Sequence, residues 1–126
     1  MKGKWGEISL NALRIIAGFL LMPHGAQKMF GVLGREAVAL GSLPGVASVL
    51  ELFGGFLVLI GLYTRPTAFV LSGLMAVAYW MAHGTQAFLP IVNRGELAAL
   101  YCFVFLFLWG NGGGDFSVDG WLRKRR

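Results

Sequence analysis

Charge is what this chain has least of. Only 13% of its 126 residues are Asp, Glu, Lys or Arg, and six of them are acidic. A soluble domain of this size carries about 25% charged residues, so a water-facing surface all round is not on offer. Cysteine is nearly absent too. Cys102 stands alone in an apolar run, which excludes an intrachain disulfide and a thiol-based zinc site. There is no CxxCH, no glycine-rich nucleotide fingerprint after a strand, and no Ser-His-Asp order. The +5 formal charge is not a nucleic-acid footprint either, because four of the basic residues are the terminal Arg123-Lys124-Arg125-Arg126. Beside a membrane helix such a cluster anchors topology and contacts anionic lipid.

What remains is apolar. Hydrophobic residues make up 56% of the chain and the mean hydropathy is +0.67. The length suits one domain over residues 1–126, and the pattern predicts four membrane spans at about 9–30, 46–63, 67–85 and 95–110. Residues 1–7 form a short basic start with the interfacial Trp5, and Arg14 interrupts what would otherwise resemble a signal peptide. Pro23 should loosen the first span just before His24. Gly31 to Gly45 reads as a broken interfacial connection, Thr64-Arg65-Pro66 as a tight turn opening the third span, and Asp115 to Leu122 as a hairpin-like tail. Lys2, Lys4, Arg65 and the four terminal residues fall on one side, with Lys28, Arg35 and Arg94 on the other. That bias predicts a multi-pass inner-membrane protein with both termini cytoplasmic. Small residues predict helix contacts at Gly18, at Gly54, Gly55 and Gly61, and at Ser72-Gly73 with Ala76. The fold class is an all-α, antiparallel four-helix membrane bundle.

The segment His24-Gly25-Ala26-Gln27 returns as His83-Gly84-Thr85-Gln86, and Glu51-Leu52 is echoed by Glu96-Leu97. The chain therefore reads as two helical hairpins in parallel repeat. An up-down arrangement gathers His24, Gln27, Lys28, Glu51, His83, Gln86, Asn93 and Glu96 in the extracytoplasmic leaflet. Arg14 lies about 15 Å below His24 at the usual helical rise, in the cytoplasmic half, where Asp115 or Asp119 could pair with it.

Arg14 with PHGAQKMFG, then ELFGGFLVLIGLYTRP, NRGELAAL and GDFSVDGW, resemble the DoxX family of small bacterial four-helix membrane proteins. The positions that carry the resemblance are Arg14, His24, Gly25, Lys28, Gly31, Glu51, Gly54, Gly55, Thr64, Arg65, Asn93, Glu96 and Asp119. The family takes its name from a membrane subunit of a thiosulfate:quinone oxidoreductase, and other members are linked to oxidoreductase and oxidative-stress complexes. The resemblance thus implies a membrane subunit beside a redox partner.

Two readings of the polar residues stand at this point. Intramembrane ionisable groups mark functional sites by default, and His24, Gln27, Lys28, Glu51, His83 and Gln86 could form a quinone pocket. Phe19, Phe30, Phe53 and Tyr63 are available as its walls. The same groups could instead pair with one another only to close the bundle. Arg14, Asn93, Glu96 and Asp119 read as structural polar residues. Asn93-Arg-Gly-Glu96 has capping-box spacing, as does Ser48-Val-Leu-Glu51, although Pro44 argues that the second span starts a turn earlier and leaves Glu51 inside. Haem ligation by His24 and His83 is disfavoured, and no metal site is expected. The leading function is a membrane subunit of a quinone-linked oxidoreductase. The alternatives are a non-catalytic scaffold recruiting redox enzymes through its tails, or a small-solute carrier.

Overall fold

The computed structural model describes residues 3–31, 41–81 and 86–125, with Asn93 given by its backbone alone. Among the described residues the regular elements are all helical: α1 (Lys4–Phe30), α2 (Leu43–Ile60), α3 (Thr64–Tyr79), α4 (Pro90–Asn93), α5 (Glu96–Asn111) and α6 (Val118–Lys124). Helices α1 and α2 are long and apolar enough to cross a membrane, whereas α5 is apolar but shorter. In neither α1 nor α2 is more than 33% of the most apolar stretch buried. A core helix of a soluble protein is hidden all round.

The packing is inside-out. Phe53, Phe69, Phe103 and Trp109 point outward, while Arg14, Ser48, Glu51 and Thr64 are buried. In water such an aromatic shell would be an aggregation liability. Against lipid tails it is ordinary surface.

Local chemistry sets the helix ends. Helix α2 opens on Ser42, whose hydroxyl accepts from Gly45 N–H at 3.2 Å, with Pro44 in the first turn. It closes on Gly61 at φ 73, a left-handed position that glycine adopts without strain. Helix α1 runs on through Pro23 without interruption and starts five residues before the expected Ser9. Residues 80–81 continue α3 as a π-helical turn. The tail after Asp115 is not a hairpin. Ser117 accepts from Gly120 N–H at 3.0 Å and caps α6, while Arg123 and Lys124 sit in its last turn. The connection at residues 32–40 lies outside the described residues.

Helix α1 packs mainly on α2 and α3 mainly on α5, with a lighter α2–α3 contact joining the pairs. Glycine allows the first pairing. A Cβ on Gly18 would fall 2.6 Å from the Gly55 carbonyl oxygen, and one on Gly25 would fall 2.5 Å from the Ser48 carbonyl oxygen. Gly54 lies against Leu71. Gly73, by contrast, faces open space, so the expected contact through it does not form.

The tail folds back onto α1. Arg14 donates from Nη1 to the Gly113 carbonyl at 2.6 Å and from Nη2 to the Phe116 carbonyl at 2.8 Å. Its Nη1 also reaches Asn11 Oδ1 at 3.3 Å, and Phe116 N–H donates to that same oxygen. Glu7 accepts from Asp115 N–H and from the Asn11 amide. The expected carboxylate pairing of Arg14 is thus replaced by backbone acceptors. Asp119 is engaged elsewhere: its two oxygens accept from Tyr63 N–H at 2.9 Å and Thr64 N–H at 2.8 Å. The start of α3 leaves those donors without helical partners, and an anion is favoured there.

Candidate functional site

At the opposite end of the bundle, Gly25 draws α1 against α2 one turn before Lys28. From there Lys28 Nζ reaches both oxygens of Glu51, at 3.0 and 2.8 Å. The Glu51 side chain is 4% exposed and that of Lys28 20%. Glu51 lies in the third turn of α2 because the Ser42 cap starts the helix early, so the Ser48–Glu51 capping box does not form. Ser48 instead donates to the Gly45 carbonyl at 2.6 Å. Lys28, in the last turn of α1, is also favoured by the helix dipole.

This ion pair edges a cavity of about 220 Å³ that all four longer helices line. Leu21, Met75, Ala78, Leu97 and Ala98 supply apolar walls; His24, Tyr101 and Arg94 supply polar ones. The His24 ring meets Tyr101 edge-on, with centroids 6.2 Å apart and planes at 87°. Tyr101 in turn stacks on Phe105 at 5.7 Å. Neither the His24 imidazole nor the Tyr101 hydroxyl makes a hydrogen bond with any other described residue. Arg94 holds a left-handed backbone, φ 64, at the end of α4, a conformation that costs a non-glycine residue on the order of 1–3 kcal/mol. Two cations and one carboxylate leave the lining at a formal +1 with His24 neutral. The chemistry on offer is hydrogen-bond donation to an electron-rich oxygen, with a carboxylate beside it that can take up a proton.

The structure brings together His24, Lys28 and Glu51 of the six expected pocket residues. Gln27 is half-buried and Gln86 exposed, and neither lines this cavity. His83 and the side chain of Asn93 lie outside the described residues. The expected aromatic walls are displaced: Phe19, Phe30, Phe53 and Tyr63 are all more than half exposed, and none lines the cavity. Phe19, Phe30 and Phe53 fall on the outward-facing arc of their helices, and Tyr63 stands in the turn before α3. Glu96 is exposed as the first residue of α5, with Gly95 rather than Asn93 at the N-cap position. Arg94 and Tyr101 were missed. A tyrosine inside the apolar run Leu100 to Leu108 was the available signal for one of them, because a buried phenol needs a partner or a cavity.

Residues 9–84, more than half of the chain, match the DoxX family model. The chain belongs to the DoxX family. The matched stretch carries His24, Lys28 and Glu51, whereas Arg94, Tyr101 and the Arg14-bound tail lie beyond it. Relatives extend the similarity further. A protein of Haemophilus influenzae described as uncharacterized is 34% identical over 97% of this chain and 96% of its own. A second protein of that organism, described in the same way, is 27% identical over 98% of this chain and 89% of its own. No solved structure matches. A DoxX-family membrane protein is thus what both sequence and geometry describe.

Proposed function

We propose that this DoxX-family protein is a four-span, single-domain subunit of a quinone-linked oxidoreductase in the bacterial inner membrane, with both termini cytoplasmic. The observation that carries the reading is the Lys28–Glu51 pair, withdrawn from solvent and facing a cavity that holds two further donors with no hydrogen-bond partner among the described residues. An ion pair serving only to close the bundle needs no such cavity. Four spans are supported by two matching antiparallel pairs, α1 with α2 and α3 with α5. At 16 residues, α3 and α5 are about 24 Å long. That falls short of a bilayer core of about 30 Å, a mismatch met by flanking residues and local thinning.

A volume of about 220 Å³ is below the roughly 300–1,000 Å³ of drug-sized sites. It suits a ring headgroup whose tail stays outside. Lys28, His24 and Tyr101 would hold a quinone by its carbonyl oxygens, and the quinone would supply a two-electron, two-proton couple. Glu51 holds or passes a proton at its carboxylate, and the apolar walls keep bulk water away. The single Cys102 forms no redox centre by itself, so electrons come from a partner protein. The scaffold reading loses ground because the tail is occupied: Gly113 and Phe116 are bound to Arg14. Deleting residues 115–126 would therefore disturb the bundle as well as any recruitment.

The test is the quinone content of protein purified in mild detergent, set against a His24→Ala, Lys28→Ala double variant. Near-stoichiometric quinone in the parent and its loss in the variant is the expected result. Equal trace amounts in both would return these residues to closing the bundle and abandon the pocket.

A further inference from the structure

Two hollows meet at the end of the bundle away from the Lys28–Glu51 cavity. One is polar, about 400 Å³, and lies between Arg65, Arg123, Thr64, Asp119 and the Gly112–Gly113 loop. The other is an apolar groove of about 380 Å³ between α2 and α3, walled by Leu50, Phe53, Leu57 and Val70. Tyr63 and Pro66 line both, so the two are contiguous. The groove exists because the α2–α3 contact is slight beside the α1–α2 and α3–α5 pairings. Phe53 and Val70 are about half exposed along it, on the surface that faces lipid.

The charges of the polar hollow are unevenly committed. Both oxygens of Asp119 are taken by the N–H groups of Tyr63 and Thr64. Arg65 makes no hydrogen bond or ion pair with any other described residue. Arg123 has one exposed contact, with Asp115 at 3.4 Å. A Cβ on Gly112 would sit 3.3 Å from Arg65 Nε, so glycine keeps that side of the guanidinium clear. Two guanidinium groups from different elements therefore face one space whose own lining carboxylate, Asp119, is already engaged, while Asp115 and Glu7 lie in the adjoining hollow. Guanidinium forks match phosphate oxygens in geometry and charge.

We propose that this end binds one anionic phospholipid, its phosphate between Arg65 and Arg123 and one acyl chain in the α2–α3 groove. The order of the two hollows, polar then apolar and joined at Tyr63 and Pro66, is that of a phospholipid. The groove is what selects a lipid over free phosphate, and two guanidinium groups beside a carboxylate that is already engaged favour an anionic headgroup. The proposal rests on the membrane setting but not on the quinone reading. The two cavities share no residue, so either can fail alone.

The experiment titrates the full-length, delipidated protein in mild detergent with phosphatidylglycerol and, separately, with phosphatidylcholine of the same acyl chains, reading bound lipid by native mass spectrometry. One tightly held phosphatidylglycerol is expected. Binding should fall about tenfold or more in Arg65→Gln, Arg123→Gln, given the usual contribution of each basic residue at a membrane surface. Filling the groove with Val70→Trp should weaken it independently. Neither arginine has a buried partner to lose, and circular dichroism with elution volume verifies the fold. Should the double variant misfold, Arg65→Gln alone, which breaks no protein contact, decides. Equal affinity for the two lipids, or phosphatidylglycerol binding that survives the arginine substitutions, overturns the proposal. Displacement by millimolar inorganic phosphate with no effect of Val70→Trp overturns it too, leaving a free-phosphate site.

Discussion

The bundle buries cationic side chains at two levels and treats them in opposite ways. Arg14 is 1% exposed, and its two terminal nitrogens meet fixed acceptors, two backbone carbonyls of the tail and the Asn11 amide oxygen, while its Nε finds none among the described residues. Lys28 is held by a single carboxylate, and that pair stands beside a cavity with His24 and Tyr101. A guanidinium spreads its donors over a planar fork and suits several rigid acceptors at once. An ammonium on a flexible stem is a compact charge that can be reorganised or lose its proton. The first arrangement holds a chain segment in place. The second leaves room for another molecule. Burial of charge in a membrane protein therefore says little until one asks whether the neighbours already satisfy it.

The largest expected effect comes from Arg14→Leu. It orphans the Gly113 and Phe116 carbonyls and releases the tail, at about 3 kcal/mol or more. A lower melting temperature in detergent should accompany faster trypsin cleavage at Arg123, Lys124 and Arg125. An unchanged melting temperature with a protected tail would show that the clamp does not hold the fold.

Next comes the approach that makes the Lys28–Glu51 pair. Gly25→Leu would drive side-chain atoms into the Ser48–Leu52 backbone and cost about 1–3 kcal/mol by overpacking, with separation of α1 from α2. Gly73→Ala, in open space, should stay within about 0.5 kcal/mol of the parent or gain from the better helix former. Similar losses at both positions would contradict the packing described.

Glu51→Gln and the double replacement Lys28→Met, Glu51→Leu separate an architectural ion pair from a working one. The single change leaves a half-buried ammonium without its carboxylate and should lower stability by about 1–3 kcal/mol. The double change removes both charges and should restore near-parental stability, yet retain no quinone. Quinone retained by the stable double variant would make the pair architectural, like Arg14.

The smallest effect is expected for Tyr101→Phe. Stability should move by no more than about 0.5 kcal/mol, because the ring keeps its place against Phe105 and His24. Quinone retention should weaken roughly two- to tenfold through one lost hydrogen bond. No change in retention would remove the hydroxyl from the site.

Much of the local structure follows from the sequence. The apolar stretches, Gly61 before Tyr63-Thr64 and the Pro44 start of α2 place the long helices within a few residues, because caps, prolines and lipid-length hydrophobic runs act through neighbours in the chain. Glu51 and Glu96 occupy matching sequence contexts but part as Pro44 leads one to expect: the Ser42 cap starts α2 early and buries Glu51, while α5 starts at Glu96 and leaves it exposed. Helix α6 was overlooked because seven residues with one cap give a weak periodic signal.

The sequence by itself determined the membrane character, the long helices, the family and the membership of His24, Lys28 and Glu51 in one layer, since hydropathy, capping and motif spacing are local properties. Only the tertiary structure decided that Lys28 grips Glu51, that Tyr101 and Arg94 complete the cavity, and that Arg14 holds the tail rather than a carboxylate. Those outcomes depend on how closely Gly18 and Gly25 let two backbones approach and on where a segment about a hundred residues away folds back. No periodicity along a single chain encodes such distances, because they are set by packing between helices.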